Sequence, residues 1–340
     1  MGRHLFPRLL AGTCALLSVL ASAAPAVAAA PTWMPPGLSV QFDAPILPNF
    51  RIVAYYGSPL TPAMGILGEQ PQSLMISQLL AQAAVYAKLD PAHPVIPALE
   101  MVAVVAARNP GPGGTYSRRM PYALIQQELT LARSIHGLLI LDVQVGHASV
   151  QSEVQYLAPF LAQPDVELAL DPEFDMPPGD IPGIEFGTMA TSSINWTLGY
   201  LNNLVKVDHL PQKVLIVHQF LKRMIPQWNL ITPQPYVALV RDMDGFGGQP
   251  LKIANYERFV RKEAVACTAV PSPIISIQMR SVGPMLAWTV ASFRMIQRTL
   301  SQPAAPCGGF KIFYKADKPP MTPQQTLTEL TPAPLVVIYQ

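Results

Sequence analysis

The chain has 340 residues, of which 50% are hydrophobic, only 13% are charged and 37 are proline. Lys and Arg number 23 against 21 Asp and Glu, a formal charge of +2, which gives no clustered basic excess of the kind a nucleic-acid binder uses to neutralise phosphates. The low charge and high apolar content also exclude a disordered polar chain, and the length suits one large domain.

Arg3, His4 and Arg8 make a basic start, Leu9 to Leu20 an apolar run, and Ala26-Val27-Ala28 a small-residue cleavage pattern. That succession reads as a secretory signal peptide over residues 1–28. Its apolar run is shorter than the roughly 20 residues of a spanning helix. An exported protein is therefore expected, secreted or held in the periplasm or cell envelope, with no membrane span once the signal is removed. Residues 29–49, rich in proline, read as an extended linker. Export also makes a Cys267–Cys307 disulfide the expected state of the two mature cysteines. It would close a loop of about 41 residues, worth roughly 4 kcal/mol of loop entropy.

From residue 50 onward, short β-rich runs alternate with helical spacing. The runs are Arg51 to Tyr56, Val95 to Glu100, Gly137 to Asp142, Val166 to Asp171, Lys213 to His218, Tyr236 to Asp242, Gly309 to Tyr314 and Leu335 to Tyr339. Such near-continuous apolar runs suit parallel strands buried on both faces. Between them, Leu79, Ala83 and Tyr86, then Leu124, Leu129 and Leu131, then Leu198, Leu201 and Val205 recur at helical steps. Thr322-Pro323 caps a short last helix, and only the segment after the fifth run is thin. Eight such alternations predict an α/β fold, a single-domain (β/α)₈ barrel over residues 50–340. An open doubly wound sheet would carry a Gly-rich phosphate turn after its first strand, and Tyr55-Tyr56-Gly57-Ser58-Pro59 is not one.

Counting by two keeps side chains on one face of a strand. Ala54 then leads to Tyr56, Ala98 to Glu100, Ala169 to Asp171 and Glu173, and Ala238 through Val240 to Asp242 and Asp244. Small residues low on the strands with acids at their C-terminal ends predict an inward face that opens on a mouth, where barrel enzymes keep their chemistry. Asp171 and Glu173 share a face, so repulsion should keep one of them protonated beside an ionised partner, as cleavage of a glycosidic bond requires. Glu173 is the expected acid, with Asp171, Asp242 or Asp244 as nucleophile or base. Glu100, Asp142, His218, Tyr56, Phe246, Lys311 and Tyr314 are the expected substrate-binding residues, Phe246 by stacking on a sugar and Lys311 as counter-ion to the acids. Trp196 and Trp228 suit either sugar stacking or ordinary packing.

A carbohydrate substrate and a monomer are expected, with no cofactor or metal. The alternatives are a glycan-binding barrel without catalysis and a divalent-metal hydrolase drawing on Glu100, Asp142, His147, His218 and Asp242.

At LALDPEF (168–174), QKVLIVHQF (212–220), DGFG (244–247), GFKIFY (309–314) and IYQ (338–340), the sequence resembles a family of exported bacterial proteins, largely uncharacterised and often labelled lipoproteins. The resemblance covers residues 50–265 and 309–340, and implies a barrel shared with glycoside hydrolases. The departure is 262–306, an insertion between the sixth and seventh strands that holds Cys267, adjoins Cys307 and suits a disulfide-pinned lid over the mouth.

Overall fold

The computed structural model describes residues 45–263 and 306–340. The expected signal peptide, most of the expected linker, Cys267 and most of the expected insertion lie outside that range.

Nine strands form one sheet: β1 (Arg51–Gly57), β2 (Val95–Ala106), β3 (Ser117–Arg119), β4 (Leu138–Val143), β5 (Val166–Leu170), β6 (Lys213–Gln219), β7 (Val237–Met243), β8 (Gly308–Ile312) and β9 (Val336–Tyr339). All except β3 run parallel, each beside its chain neighbour, and β1 pairs with both β2 and β9. The sheet therefore closes on itself as an eight-stranded (β/α)₈ barrel. Its strands are the eight runs read from the sequence, to within a few residues except at β2. That strand continues to Ala106 and pairs antiparallel with β3, an excursion the apolar pattern did not announce.

The helices outside the wall are α1 (Gln72–Leu89), α2 (Tyr122–Ser134), α3 (Val150–Tyr156), α4 (Thr191–Asp208), α5 (Gln249–Tyr256) and α6 (Pro323–Thr328). Helix α6 begins with the predicted cap: Thr322 Oγ1 accepts from the Gln325 backbone N–H, and Gln325 Oε1 accepts from that of Thr322. Between β6 and β7 run only two short turns, Lys222–Met224 and Trp228–Leu230, matching the thin segment in the sequence.

Two apolar clusters divide along the pleat. Outward residues such as Val53, Leu99, Leu141, Leu168, Leu215, Leu239, Phe310 and Val337 pack under the helices. Inward residues such as Ala54, Ala98, Ile140, Ala169, Ile216, Ala238, Val240 and Ile338 fill the lumen. Small side chains on several strands let the larger ones meet across a narrow interior.

The floor of the lumen corrects the linker boundary. Ile46 and Leu47, inside the expected linker, are fully buried in the inner cluster. The Leu47 backbone N–H donates to Gln212 Oε1 at 3.0 Å, and Gln212 Nε2 donates back to the Leu47 carbonyl at 3.1 Å. Two apolar residues at the end of a proline-rich stretch cost less as a plug than in water. Of the insertion only Lys262, Glu263 and Pro306 are described, and the lid expected over the mouth lies outside the described residues.

Candidate active site

The two-residue alternation brings the predicted acids into one ring above the apolar lumen. Strand register sets Tyr56 of β1 beside Glu100 of β2, and His218 of β6 beside Asp242 of β7. Asp142, Asp171 and Lys311 join from β4, the end of β5, and β8. Asp244 follows β7 directly, its backbone N–H donating to the Gln219 carbonyl at 3.2 Å. Glu173 lies on the turn Pro172–Phe174, pinned by Gly146 N–H to the Phe174 carbonyl at 2.7 Å and Gly187 N–H to the Glu173 carbonyl at 2.6 Å. Glu100, Asp142, His218 and Asp242 are wholly buried, while Glu173 and Asp244 are the most exposed acids of the ring at 7% each.

His218 is the hub. Nε2 lies 2.9 Å from Glu100 Oε1 and Nδ1 lies 3.0 Å from Asp242 Oδ2. Burial and the charge of Lys311 oppose protonation, but Asp171 and the hydrogen bonds to Asp242 and Glu100 outweigh them and hold the imidazole pKa well above its ordinary value. An imidazolium donating from both nitrogens follows. Lys311 Nζ lies 3.4 Å from Asp244 Oδ1 and 3.6 Å from the centroid of the Tyr56 ring. Burial opposes its charge too, yet Asp244, Asp171, Glu100 and Asp142 keep its pKa above the usual lysine value. This is the counter-ion role expected for it.

Glu100, Asp142, Asp171, Glu173 and Asp244 are pushed up, chiefly by desolvation. Asp171 rises to about 7, by burial and then by the charge of Asp142. Asp244 rises to about 6 by burial, with Lys311 and His218 resisting. Glu173 rises well above its ordinary value through burial, Asp171 and Asp244. One oxygen each of Glu100, Asp142, Asp171, Glu173, Asp242 and Asp244 is buried without a hydrogen-bond partner among the described residues.

Gln144, which the sequence reading overlooked, completes the ring. Its Oε1 accepts from the Ala106 backbone N–H at 3.1 Å, so Nε2 must face inward as a donor. Nε2 donates to Asp171 Oδ2 at 3.0 Å and to Tyr56 Oη at 3.3 Å, while the Tyr56 hydroxyl donates to Asp142 Oδ2 at 3.0 Å. The signal was present, since Gln144 lies two residues beyond Asp142 on the same alternation.

Three expected residues take other places. Asp242 sits beneath the ring: its carboxylate is held by His218 and lies against Gly309, where an added Cβ would come within 2.6 Å of Oδ1. It orients the imidazole and is withdrawn from the candidate acids that meet substrate. Tyr314 lies past the end of β8 and stacks on Tyr339, whose ring packs in the outer cluster under α1, with centroids 5.2 Å apart. His147 is also remote, its Nε2 2.7 Å from the Asp180 carbonyl and its ring against Tyr116. Trp196 stacks on Tyr200 along α4, and Trp228 is buried under the Arg241 guanidinium, so both serve packing.

Phe246 stands on the rim, 66% exposed, its ring edge-on to Phe313 at 5.9 Å. Phe313 in turn lies 5.6 Å from Lys311 Nζ, which links this aromatic step to the ring.

Among the described residues two groups of side chains could hold a cation, Glu100 with Asp142 and His218, and Asp171 with His218 and Asp244; in each the ligand atoms lie within 4.8 Å of one another. Both depend on His218, whose two nitrogens are already engaged by Glu100 and Asp242.

Comparison with protein-family models and with curated proteins gives no match, so the resemblance to exported barrel proteins stays an expectation drawn from motifs. Among the described residues no helix is long and apolar enough to cross a membrane. The barrel with its ring is compatible with a hydrolase-like enzyme.

Proposed function

We infer that the chain hydrolyses glycosidic bonds of an exported glycan, with Glu173 as general acid and Asp244 as nucleophile or base. The observation that carries this reading is the asymmetry of the two outermost acids. Glu173 has an orphaned, buried oxygen and two acidic neighbours, which favours its protonated form. Asp244 has Lys311 at 3.4 Å and His218 at 3.8 Å, which favours its ionised form. One protonated and one ionised carboxyl at a common mouth is the arrangement glycoside hydrolysis needs. Asp171 beneath them, aligned by Gln144, tunes Glu173 through its charge. Phe246 offers a ring face for a sugar.

The same reading takes residues 1–28 to direct export and Cys267 to pair with Cys307 in the oxidising compartment.

The test is turnover of a panel of bacterial-envelope and plant glycans by the purified protein and by Glu173→Gln. Loss of about 10²–10⁴-fold in kcat is expected in the variant, the usual worth of a positioned acid. Equal turnover in the two proteins would refute the assignment. Glycan binding with no turnover by the wild type would leave a glycan-binding barrel instead.

A further inference from the structure

We propose that the ring selects a positively charged sugar, so that the substrate class is an amino-sugar glycan carrying free, unacetylated amines; this rests on the glycosidase reading above.

The charge balance points there first. Five carboxylates line the ring and Asp242 lies just beneath it, all at least nine-tenths buried, and the cations among them are Lys311 and His218. Among the described residues Asp171 Oδ1 and Glu173 Oε2 are buried without a hydrogen-bond partner, and Asp244 Oδ1 has only the Lys311 ammonium at 3.4 Å. Unpaired buried carboxylate oxygens are costly, and the cost is relieved by a donor that also brings positive charge. A sugar hydroxyl supplies only the donor, and an acetamido group adds an uncharged methyl. An ammonium supplies up to three donors and the charge.

The ring already accommodates one such group. Lys311 places its ammonium against Asp244 and over the face of Tyr56, combining carboxylate and aromatic contact. A substrate ammonium would meet the same chemistry at the orphaned oxygen of Asp171, while the adjoining sugar rings run toward Phe313 and Phe246. A divalent cation is less well served, because it would have to displace the Glu100 or Asp242 contact to gain a His218 nitrogen.

The experiment compares oligomers of glucosamine with matched oligomers of N-acetylglucosamine by calorimetry, using the whole protein at pH 7 and low salt. The free-amine oligomer should bind at least about tenfold tighter, and the advantage should shrink in high salt. Asp171→Asn should erase the preference; should that variant not fold, the wild-type comparison decides alone. Equal or tighter binding of the acetylated oligomer would overturn the proposal. Spermidine, an ammonium without a ring to stack, should bind at least about tenfold more weakly than the amino-sugar oligomer, and equal binding would remove the sugar from the proposal. Micromolar binding of calcium, magnesium or manganese that is lost in Asp171→Asn would make the ring a metal site and also overturn it. Glu173-dependent turnover of a neutral glycan alone would sink the charge selection and keep the hydrolase. Amine-selective binding without turnover of any glycan would sink the hydrolase and keep the charge selection.

Discussion

Replacing Lys311 by Met keeps a long flexible side chain and removes one buried charge. Lys311 is 2% exposed and faces Asp244 at 3.4 Å, so the variant strands carboxylates that have no water to turn to. Breaking a buried pair in this way costs about 3–5 kcal/mol. At about 2–4 °C per kcal/mol for a domain of this size, thermal unfolding at pH 7.5 should shift down by roughly 6–20 °C. The sign of the pH dependence is fixed by the same residues. Asp171 and Asp244 titrate at about 7 and about 6, so near pH 5 both are protonated and Lys311 has fewer partners to lose. The penalty should therefore be smaller at pH 5 than at pH 7.5. Circular dichroism melts of both proteins at the two pH values provide the measurement. A variant within 2 °C of wild type at pH 7.5, or a penalty that grows on acidification, would refute the reasoning.

In the wild type, Asp171 and Asp244 have folded pKa values above the ordinary 3.8, so the folded state holds protons that the unfolded chain releases and stability falls as pH rises from about 4 to about 7. His218 acts in the same sense: its contribution is complete below 6.5 and is lost as pH climbs through its raised folded value. Melting temperature should be higher at pH 5 than at pH 8, and the reverse order would show that the ring does not dominate. Turnover should rise as Asp244 ionises near pH 6 and fall at higher pH as Glu173 loses its proton, with the alkaline limb absent in Glu173→Gln; a limb that survives in the variant belongs to another group. Gly309→Ala forces a Cβ to within 2.6 Å of Asp242 Oδ1, so it should lower both stability and activity, and a variant as stable and active as wild type would show that the wall yields there. Leu47→Ala should cost about 2–5 kcal/mol in urea unfolding, whereas a loss under 1 kcal/mol would return Leu47 to the linker.

The barrel was legible because two periodicities agreed. Apolar runs of strand length alternated with helical spacing, and within the runs Ala54, Ala98, Ala169 and Ala238 each led by twos to a polar residue that does reach the ring. What escaped notice lay where backbone geometry, which no residue pattern encodes, decides the outcome. Asp242 and Asp244 have the same parity, yet one turns under the imidazole and the other emerges beside Lys311. Tyr314 was assigned to the mouth by its distance from Gly309, but the strand ends at Ile312 and the chain turns outward to the tyrosines under α1. Gln144 escapes the sequence pattern because the run read there ends at Asp142, and Ile46 and Leu47 because the prolines around them signal extended chain.

The stopper formed by Ile46 and Leu47 has a kinetic corollary. Ile52, Val214, Val240 and Ile338 pack the lumen beneath the acids with apolar side chains, so the direct route for protons to Glu173 is from above, where ligand arrives. Asp171, whose charge Glu173 feels and which titrates at about 7, keeps an exchangeable proton in the ring near neutral pH while that route is occupied.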